Sequence, residues 1–300
     1  MAKNLRVIAA IPAYNEEHTI GSMVTLTKRH VDQVVVIDDG SKDRTSFIAQ
    51  SLGAVVIRHR TNEGKGKAVQ DAFKIASKNG ADILVILDAD GQHDPDTIPD
   101  LIKPITKGKA DIVVGSRFLD KNGTKEMPGH RKVGNKVLSV ATKLGTGQDI
   151  TDSQSGYRVF SKHAFTKMIV VENGFAIESE MLVEAAHKGL RVVEVPISCK
   201  YENLHAHTKG SASHGITVLT IILAMIRDRH PLLFFGVPGL IMLLIGGIYG
   251  LQKLWIYQRY EQIYIGPTIF IGFMILGGMF SLFTALILNS MGNIIRRLQR

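Results

Sequence analysis

Residues 83–93 have the sequence Ile-Leu-Val-Ile-Leu-Asp-Ala-Asp-Gly-Gln-His. The first five are apolar and lack the alternation of a half-exposed strand, so they predict a strand that is buried on both faces. Asp88 and Asp90 follow at once, and Gly91 permits a tight turn. Polar side chains directly after a buried strand are typical of a ligand site at the carboxyl edge of a parallel sheet.

The same alternation extends over the first 200 residues. Short apolar runs predict strands at 6–11, 33–37, 55–57, 83–87, 111–115 and 192–197. Helical patterns occupy 16–29, 43–51, 65–77, 97–106 and 178–188. Strands that alternate with helices predict an α/β fold, with a mostly parallel sheet covered by helices on both faces.

Two further polar segments follow predicted strands. The first, Pro12-Ala13-Tyr14-Asn15-Glu16-Glu17, supplies Asn15 or the neighbouring acids as helix caps, and Tyr14 as a side chain that could face a base or ribose. The second, Asp38-Asp39-Gly40-Ser41, offers either a solvated acidic pair or acceptors for a nucleotide. From residue types alone, both alternatives stay open.

Asp88 and Asp90 are the strongest candidates for chemistry. Their spacing of two places both carboxylates on one face of a strand, from which they can reach one cation. Carboxylate oxygens suit Mg²⁺ or Mn²⁺, which share such ligands with substrate phosphates. The alternative is an ordinary acidic turn.

Several function classes are excluded. Gly64-Lys65-Gly66-Lys67 lacks the leading glycine and the hydroxyl residue of a P-loop, and no GxGxxG follows the first strand. The single cysteine, Cys199, excludes a disulfide scaffold. The formal charge is +9, but the basic residues form no recognition helix with aromatic platforms, so nucleic acid is a poor partner.

The C-terminal part of the chain predicts a membrane hairpin. Leu232–Gln252 and Ile263–Ile295 contain 21 and 33 residues without a charge, and a helix of about 20 residues crosses a bilayer core. Trp255, Tyr257 and Tyr260 lie between these runs, where aromatic side chains suit a membrane interface. We expect spans at about 232–252 and 265–289 within a hairpin of residues 231–300.

Basic residues predict the orientation of the hairpin. Arg227 and Arg229 precede the first span and three arginines follow the second, whereas the loop between the spans contains only Lys253 and Arg259. This asymmetry, with an N-terminus that lacks a signal-peptide pattern, predicts a multi-pass protein of the cell membrane with both termini in the cytoplasm.

Two other segments have amphipathic or apolar character. Lys132–Leu144 interleaves lysines with apolar residues, and Ile216–Ile226 is apolar and ends at Arg227. Each is either a core helix or an interfacial helix that docks the preceding domain on lipid. The second lies in residues 213–230, which we interpret as a juxtamembrane interfacial helix.

Four motifs in this order resemble family 2 glycosyltransferases: the Pro12, Asp38 and Asp88 segments, and Asp152-Ser153-Gln154-Ser155-Gly156-Tyr157-Arg158. The subgroup that they resemble is dolichyl-phosphate mannose synthase with its polyprenyl-phosphate relatives, over roughly residues 5–215. The resemblance implies a GT-A fold, a Rossmann-like sheet flanked by helices, for a cytosolic domain of residues 1–212. The Gln-x-x-Arg-Trp motif of processive synthases is absent from the sequence.

The resemblance also implies roles for individual residues. The nucleotide sugar would be held by Pro12, Tyr14, Glu16, Ile37, Asp39, Asp88, Ala89, Asp90, Gln92, Lys200 and Lys209. Asp88, Asp90 and Gln92 would hold Mg²⁺ or Mn²⁺. Arg117 and Arg131 would engage the acceptor phosphate, together with Asn135 at a position where the relatives have serine. Catalysis would rest on Asp90, Asp152, Arg117 and Arg131, although the commoner fate of an arginine is a surface ion pair.

The implied reaction transfers a hexose from GDP-mannose or UDP-glucose to a polyprenyl (dolichyl) phosphate, as in protein glycosylation. A phosphate monoester has its second pKa near 6, so it is ionised at neutral pH and needs no strong base. The preferred role of Asp152 is therefore to orient the acceptor, and the alternative role is to accept a proton. In-line displacement implies inversion at the sugar carbon. The alternatives are transfer to another lipid acceptor and a non-catalytic nucleotide-sugar-binding membrane protein. The sequence leaves a homo-oligomer open.

Overall fold

The computed structural model describes residues 5–120, 127, 129–169, 177–199, 231–261 and 264–298. The chain divides into two compact units, Met1–Val218 and Leu219–Arg300. The predicted domain boundaries at 212 and 230, and the predicted interfacial helix at 216–226, lie outside the described residues.

Unit 1 is built on one seven-stranded sheet. Its strands are β1 (Val7–Ala13), β2 (Gln33–Asp38), β3 (Val55–Arg58), β4 (Ile83–Ile86), β5 (Ile112–Ser116), β6 (Arg158–Ser161) and β7 (Val192–Pro196), in the order β3-β2-β1-β4-β6-β5-β7. Of the six neighbouring pairs, the two that include β6, with β4 and β5, are antiparallel, and the other four are parallel. The prediction of a mostly parallel sheet is confirmed, and β6 was not predicted.

Helices cover both faces of the sheet. They are α1 (Ile20–Thr27), α2 (Thr45–Ser51), α3 (Lys65–Lys78), a 3₁₀ turn (Pro95–Thr97), α4 (Ile98–Thr106), α5 (Gly129–Thr146), α6 (Lys162–Lys167) and α7 (Ile177–His187). Buried residues of α3, α6 and α7 pack with one face of the strands, and those of α1, α2 and α4 pack with the other. Alternation along each strand fills both layers, since Ile8 joins the first cluster and Ala9 the second.

The strand order creates a crevice between β1 and β4. From β1 the chain moves outward to β2 and β3, and it then returns to place β4 on the other side of β1. Connections that leave in opposite directions open a gap beyond the carboxyl ends of two neighbouring strands, which is where α/β sheets bind ligands. The segments after residues 13 and 86 therefore meet at this point of the fold.

Helix α5 contains the predicted amphipathic segment 132–144. Its Ser139 accepts the backbone N–H of Ser153 at 3.1 Å and donates to the carbonyl of Thr151 at 3.0 Å. Thr142 on the same face is buried beside Ser179 of α7, whereas Val140 is 51% exposed. A polar face of α5 thus contacts the Asp152 loop and α7 within unit 1. The interfacial role of the helix stays a prediction.

Unit 2 contains a π-helical turn (Leu232–Gly236) and two long helices, α8 (Val237–Tyr260) and α9 (Ile265–Leu298). They approach closely where Gly239 faces Gly278, because a Cβ on Gly239 would lie 2.9 Å from the Gly278 carbonyl. Small residues allow such backbone contact between membrane helices. Leu232–Tyr260 and Ile265–Met291 are long and apolar enough to cross a membrane.

The outer surface of this hairpin is apolar. Leu251, Phe273 and Phe280 are each at least 70% exposed, which suits contact with lipid chains. At the connecting loop, Lys253 lies 4.8 Å from the ring centre of Tyr264, and Arg259 lies 5.4 Å from that of Trp255. Helix α8 ends at Tyr260 and therefore includes both Lys253 and Arg259.

Candidate active site

A cleft of about 340 Å³ opens at the crevice between β1 and β4. It is lined by residues at or after the carboxyl ends of β1, β2, β3 and β4: Pro12, Ala13, Tyr14, Glu16, Asp39, Asn62, Gly64, Lys65, Ala68, Asp88, Ala89 and Asp90. Seven of the predicted nucleotide-sugar residues are among them. The cleft brings together motifs that are far apart in the sequence.

The loop after β1 is fixed by the loop after β2. The backbone N–H groups of Asn15 and Glu16 donate to Ser41 Oγ and Thr45 Oγ1, both at 2.8 Å. Asn15 has φ of 57° and accepts the Lys42 N–H through Oδ1 at 2.8 Å, so it joins two loops and caps no helix. These contacts hold residues 15–17 outside the helix, and α1 therefore begins at Ile20 and not at the predicted residue 16.

The two acids after β2 have different partners. Asp38 is buried and accepts the Ser41 N–H at 2.8 Å, which stabilises the turn. Asp39 accepts the backbone N–H groups of Glu63 and Gly64, both at 2.8 Å, and contacts His59 Nδ1 at 2.7 Å. Asp39 thereby anchors the segment before α3 to the wall of the cleft.

His59 lies between two carboxylates. Its Nδ1 contacts Asp39 at 2.7 Å and its Nε2 contacts Asp71 at 3.1 Å. Burial alone would lower the His59 pKa, but the hydrogen bonds to Asp39 and Asp71 and the charges of Asp39 and Glu63 outweigh it and raise this pKa above the ordinary value. Through these two contacts His59 joins the Asp39 loop to α3.

Asp88 is held by a lysine that the sequence motifs did not single out. Lys65, the first residue of α3, places Nζ 2.6 Å from Asp88 Oδ1 and 2.7 Å from Glu178 Oε1. Glu178 lies in the first turn of α7. The N-terminal ends of two helices thus converge on the carboxylate that follows β4.

The electrostatics of the two predicted metal carboxylates differ. Burial would raise the Asp88 pKa, but the charges of Lys65, His93 and Arg117 overcome it and lower this pKa to about 2. The pKa of Asp90 is raised by burial and by the charge of Asp88, although the Gln92 N–H, at 3.0 Å from Oδ1, opposes the shift. The Asp90 carboxylate therefore has fewer compensating positive charges around it than the Asp88 carboxylate.

The Asp152–Arg158 motif forms the floor beneath Asp88. A Cβ on Gly156 would approach Asp88 Oδ1 to 2.8 Å, so only glycine fits there without displacing that carboxylate. The buried Arg158 donates to the carbonyls of Ser153 and Ser155, both at 2.9 Å, and fixes the curve of the loop. Burial lowers the Arg158 pKa to about 10 in spite of the surrounding carboxylates.

Asp152 is engaged by Arg117. The guanidinium donates from Nε at 2.7 Å and from Nη2 at 2.8 Å to the two carboxylate oxygens, in a bidentate pair. Asp152 is fully buried, and Glu194 Oε1 accepts its backbone N–H at 2.9 Å. Within this arrangement Asp152 positions Arg117.

Three other predicted site residues, Ile37, Gln92 and Asn135, are described by the structure but do not line the cleft. Ile37 is buried in the core of the sheet, and Gln92 contributes its backbone N–H to Asp90. Asn135 is half-buried on α5. Arg131 belongs to the same helix, but its side chain is outside the described part of the structure. Lys200 and Lys209 also lie outside the described residues.

The geometry adds three residues to the predicted site: Asn62, Lys65 and Glu178. Lys65 belongs to the glycine-lysine segment, which was excluded as a P-loop and then given no role. No local pattern marks Glu178, which comes 90 positions after Asp88. Among the described residues, no group of three or more His, Cys, Asp or Glu side chains is arranged to hold a metal ion.

A family model described as glycosyl transferase family 2 matches residues 8–169, which include β1 to β6 and the Asp152 motif. The chain belongs to this family. The predicted family and the predicted class of enzyme, a glycosyltransferase, are thereby confirmed.

Two curated relatives support the subgroup. The UDP-N-acetylglucosamine–dolichyl-phosphate N-acetylglucosaminyltransferase of Methanococcus voltae is 38% identical over 229 residues, which cover 70% of this chain and 89% of that protein. The polyprenol monophosphomannose synthase of Mycolicibacterium smegmatis is 31% identical over 204 residues, 64% of this chain and 77% of that protein.

A solved structure supports the GT-A fold. Glucosyl-3-phosphoglycerate synthase from Mycobacterium tuberculosis, in complex with Mn²⁺ and uridine-diphosphate-glucose, matches with a TM-score of 0.58 and 20% identity. The match covers 75% of this chain and 79% of that chain. At this identity the likeness bears on the fold alone, and it confirms the predicted fold class.

The raised pKa of His59 predicts a pH-dependent contribution to stability. Because the pKa is raised on folding, this contribution is complete below the unfolded value of about 6.5 and is lost as pH rises through the folded value. His59→Asn should cost about 1–3 kcal/mol at pH 6 and clearly less at pH 8.5, measured by unfolding of the full chain in detergent. His18→Asn, with a side chain that is 83% exposed, is the control. Equal losses at both pH values would contradict the assignment.

The close approach of Gly156 to Asp88 predicts a sharp effect of one methyl group. Gly156→Ala should lower the transferase turnover about 100-fold, because it shifts a site carboxylate by a large fraction of an ångström. Gly21→Ala on α1 is the matched control, since its Cβ would meet the side chains of Ile48 and Leu52 at 3.4 and 3.6 Å, far from the cleft. Turnover of Gly156→Ala at the wild-type level would show that the position of Asp88 is not critical.

Proposed function

We propose that the chain transfers a hexose or N-acetylhexosamine from a nucleotide sugar to a polyprenyl (dolichyl) phosphate at a membrane surface. The observation that carries the proposal is the pairing of Asp88 and Asp90 at the carboxyl end of β4, in a cleft beside the bidentate Arg117–Asp152 pair. The names of the two curated relatives support the same acceptor class.

The donor fits the cleft from Tyr14 to Asp90. Tyr14 is 42% exposed and offers a ring face to a base, while Asp39 and Glu16 offer acceptors to ribose or base. This end of the site suits a nucleoside, and the end near Asp88 suits its diphosphate. The donor itself, whether GDP-mannose, UDP-glucose or UDP-N-acetylglucosamine, is to be identified by the transfer assay.

Asp88 and Asp90 also fit a divalent cation. Their carboxylates are hard oxygen donors, and they follow one another at a spacing of two residues at the carboxyl end of β4. Mg²⁺ or Mn²⁺, when bound, would neutralise the departing nucleoside diphosphate. Two carboxylates with Gln92 nearby are sufficient, since Mg²⁺ usually completes its coordination with water and substrate phosphates.

The acceptor phosphate fits Arg117. Asp152 and the Arg117 backbone N–H, 3.1 Å from Asp152 Oδ2, hold this arginine in place before the acceptor arrives. We place Arg131 and Asn135 of α5 beside the same phosphate. An ionised phosphate monoester attacks the anomeric carbon without a strong base, so Asp152 acts through Arg117, and the sugar carbon is inverted.

The apolar helices give the acceptor its location. Leu232–Tyr260 and Ile265–Met291 are candidate spans that would anchor the protein in the membrane in which a polyprenyl phosphate resides. The basic residues that flank them favour cytoplasmic termini, and therefore a cytoplasmic catalytic domain.

The full chain in detergent should form a labelled lipid from polyprenyl phosphate and one of three radiolabelled donors: GDP-mannose, UDP-glucose or UDP-N-acetylglucosamine. Asp90→Asn should lower this transfer about 10³-fold with Mg²⁺ or Mn²⁺ present, because the cation loses a charged ligand. Asp100→Asn is the control, since the side chain of Asp100 is 62% exposed and pairs with Lys103 of the same helix.

The outcomes separate the possible functions. No labelled lipid with any donor would contradict the proposal. Transfer that survives both Arg117→Ala and Arg131→Ala would overturn the proposed acceptor site. Binding of a nucleotide sugar without any transfer would indicate a non-catalytic scaffold protein.

A further inference from the structure

Lys65 is in direct contact with Asp88, one of the two predicted metal carboxylates. Its ammonium is shared between Asp88 Oδ1 at 2.6 Å and Glu178 Oε1 at 2.7 Å. It also lies in the wall of the cleft. The preceding residue, Gly64, has a φ of 93° and is the N-cap of α3. Lys65 is therefore placed to contact a ligand in the cleft as well as the two carboxylates.

The contact with Asp88 opposes the binding of a metal ion. An ammonium within hydrogen-bonding distance of Oδ1 uses an oxygen that a divalent cation would need, and it adds a positive charge beside the site. The carboxylate thus has a cationic partner before any metal arrives.

A nucleoside diphosphate changes this balance. Its phosphates bring several negative charges, so an ammonium and a divalent cation can both be accommodated in the cleft. Lys65 has a flexible stem, and the first turn of α3 presents backbone N–H groups of the kind that favour anions. Glu178, from a different helix, keeps the ammonium at the site while its other partner changes.

We propose that Lys65 is a tethered cation that couples metal binding to donor binding. In the donor-free protein it neutralises Asp88, and on donor binding it moves its interaction from Asp88 to the diphosphate, which frees Asp88 for Mg²⁺ or Mn²⁺. The metal then binds together with the donor and only weakly before it. This inference rests on the donor site of the proposed function, but not on the identity of the acceptor.

The test is Mn²⁺ binding by the full chain in detergent, with free Mn²⁺ measured by electron paramagnetic resonance. Lys65→Gln removes the charge and keeps an N–H donor on a side chain one bond shorter. Without nucleotide it should bind Mn²⁺ about tenfold more tightly than wild type, a coupling of ordinary size for two linked sites. The gain in Mn²⁺ affinity on adding UDP or GDP should shrink by the same factor.

Two variants serve as controls. Lys67→Gln removes a charge from the same turn of α3, at a side chain that contacts Asp71 at 3.2 Å, and should leave Mn²⁺ binding unchanged. Lys65→Arg keeps the charge and should keep the weak binding of the wild type. Lys65→Met, whose unfolding midpoint is measured alongside, provides a second neutral variant if the amide distorts the site.

The results distinguish the two proposals. Nucleotide-free Mn²⁺ affinity in folded Lys65→Gln and Lys65→Met that is equal to or below the wild-type value would overturn the role of Lys65, even if sugar transfer to polyprenyl phosphate proceeds. The predicted rise in Mn²⁺ affinity would support that role even if the acceptor proves to be another molecule.

Discussion

The site depends on one carboxylate, that of Asp88, which is held at the end of a strand buried on both faces. Desolvation would make a lone charge there costly, so its surroundings must supply compensation. Lys65 arrives from α3, Arg117 from the end of β5, and Gly156 leaves the space that the carboxylate occupies. The lengths and register of these distant elements are therefore constrained together by one charge.

Most of the sheet could be predicted because it follows local rules. Apolar runs such as Ile83–Leu87 must be buried on both faces, and a sheet covered on both faces in an alternating chain is mostly parallel. The polar segments after these runs meet at the edge of the sheet for the same reason. Pro12, Tyr14, Asp39, Asp88 and Asp90 accordingly share one cleft, as their positions after strands predicted.

The remaining features arise from contacts between distant segments, which the sequence does not mark. The four residues of β6 are too short to show a strand pattern, and they pair antiparallel with β4 and β5 only because the Asp152 loop turns the chain back. Glu178 has no local signal, since its role comes from the position of α7. The pairing of Asp152 with Arg117 likewise depends on burial, which residue types cannot show.

The most direct test of this account is the position of Mn²⁺ in a structure of the full chain with Mn²⁺ and UDP or GDP, located by its anomalous signal. The account predicts one Mn²⁺ peak with carboxylate oxygens of both Asp88 and Asp90 at about 2.0–2.3 Å, and the Lys65 ammonium on the diphosphate. A bound nucleotide with Mn²⁺ elsewhere, or with Lys65 still on Asp88, would contradict it.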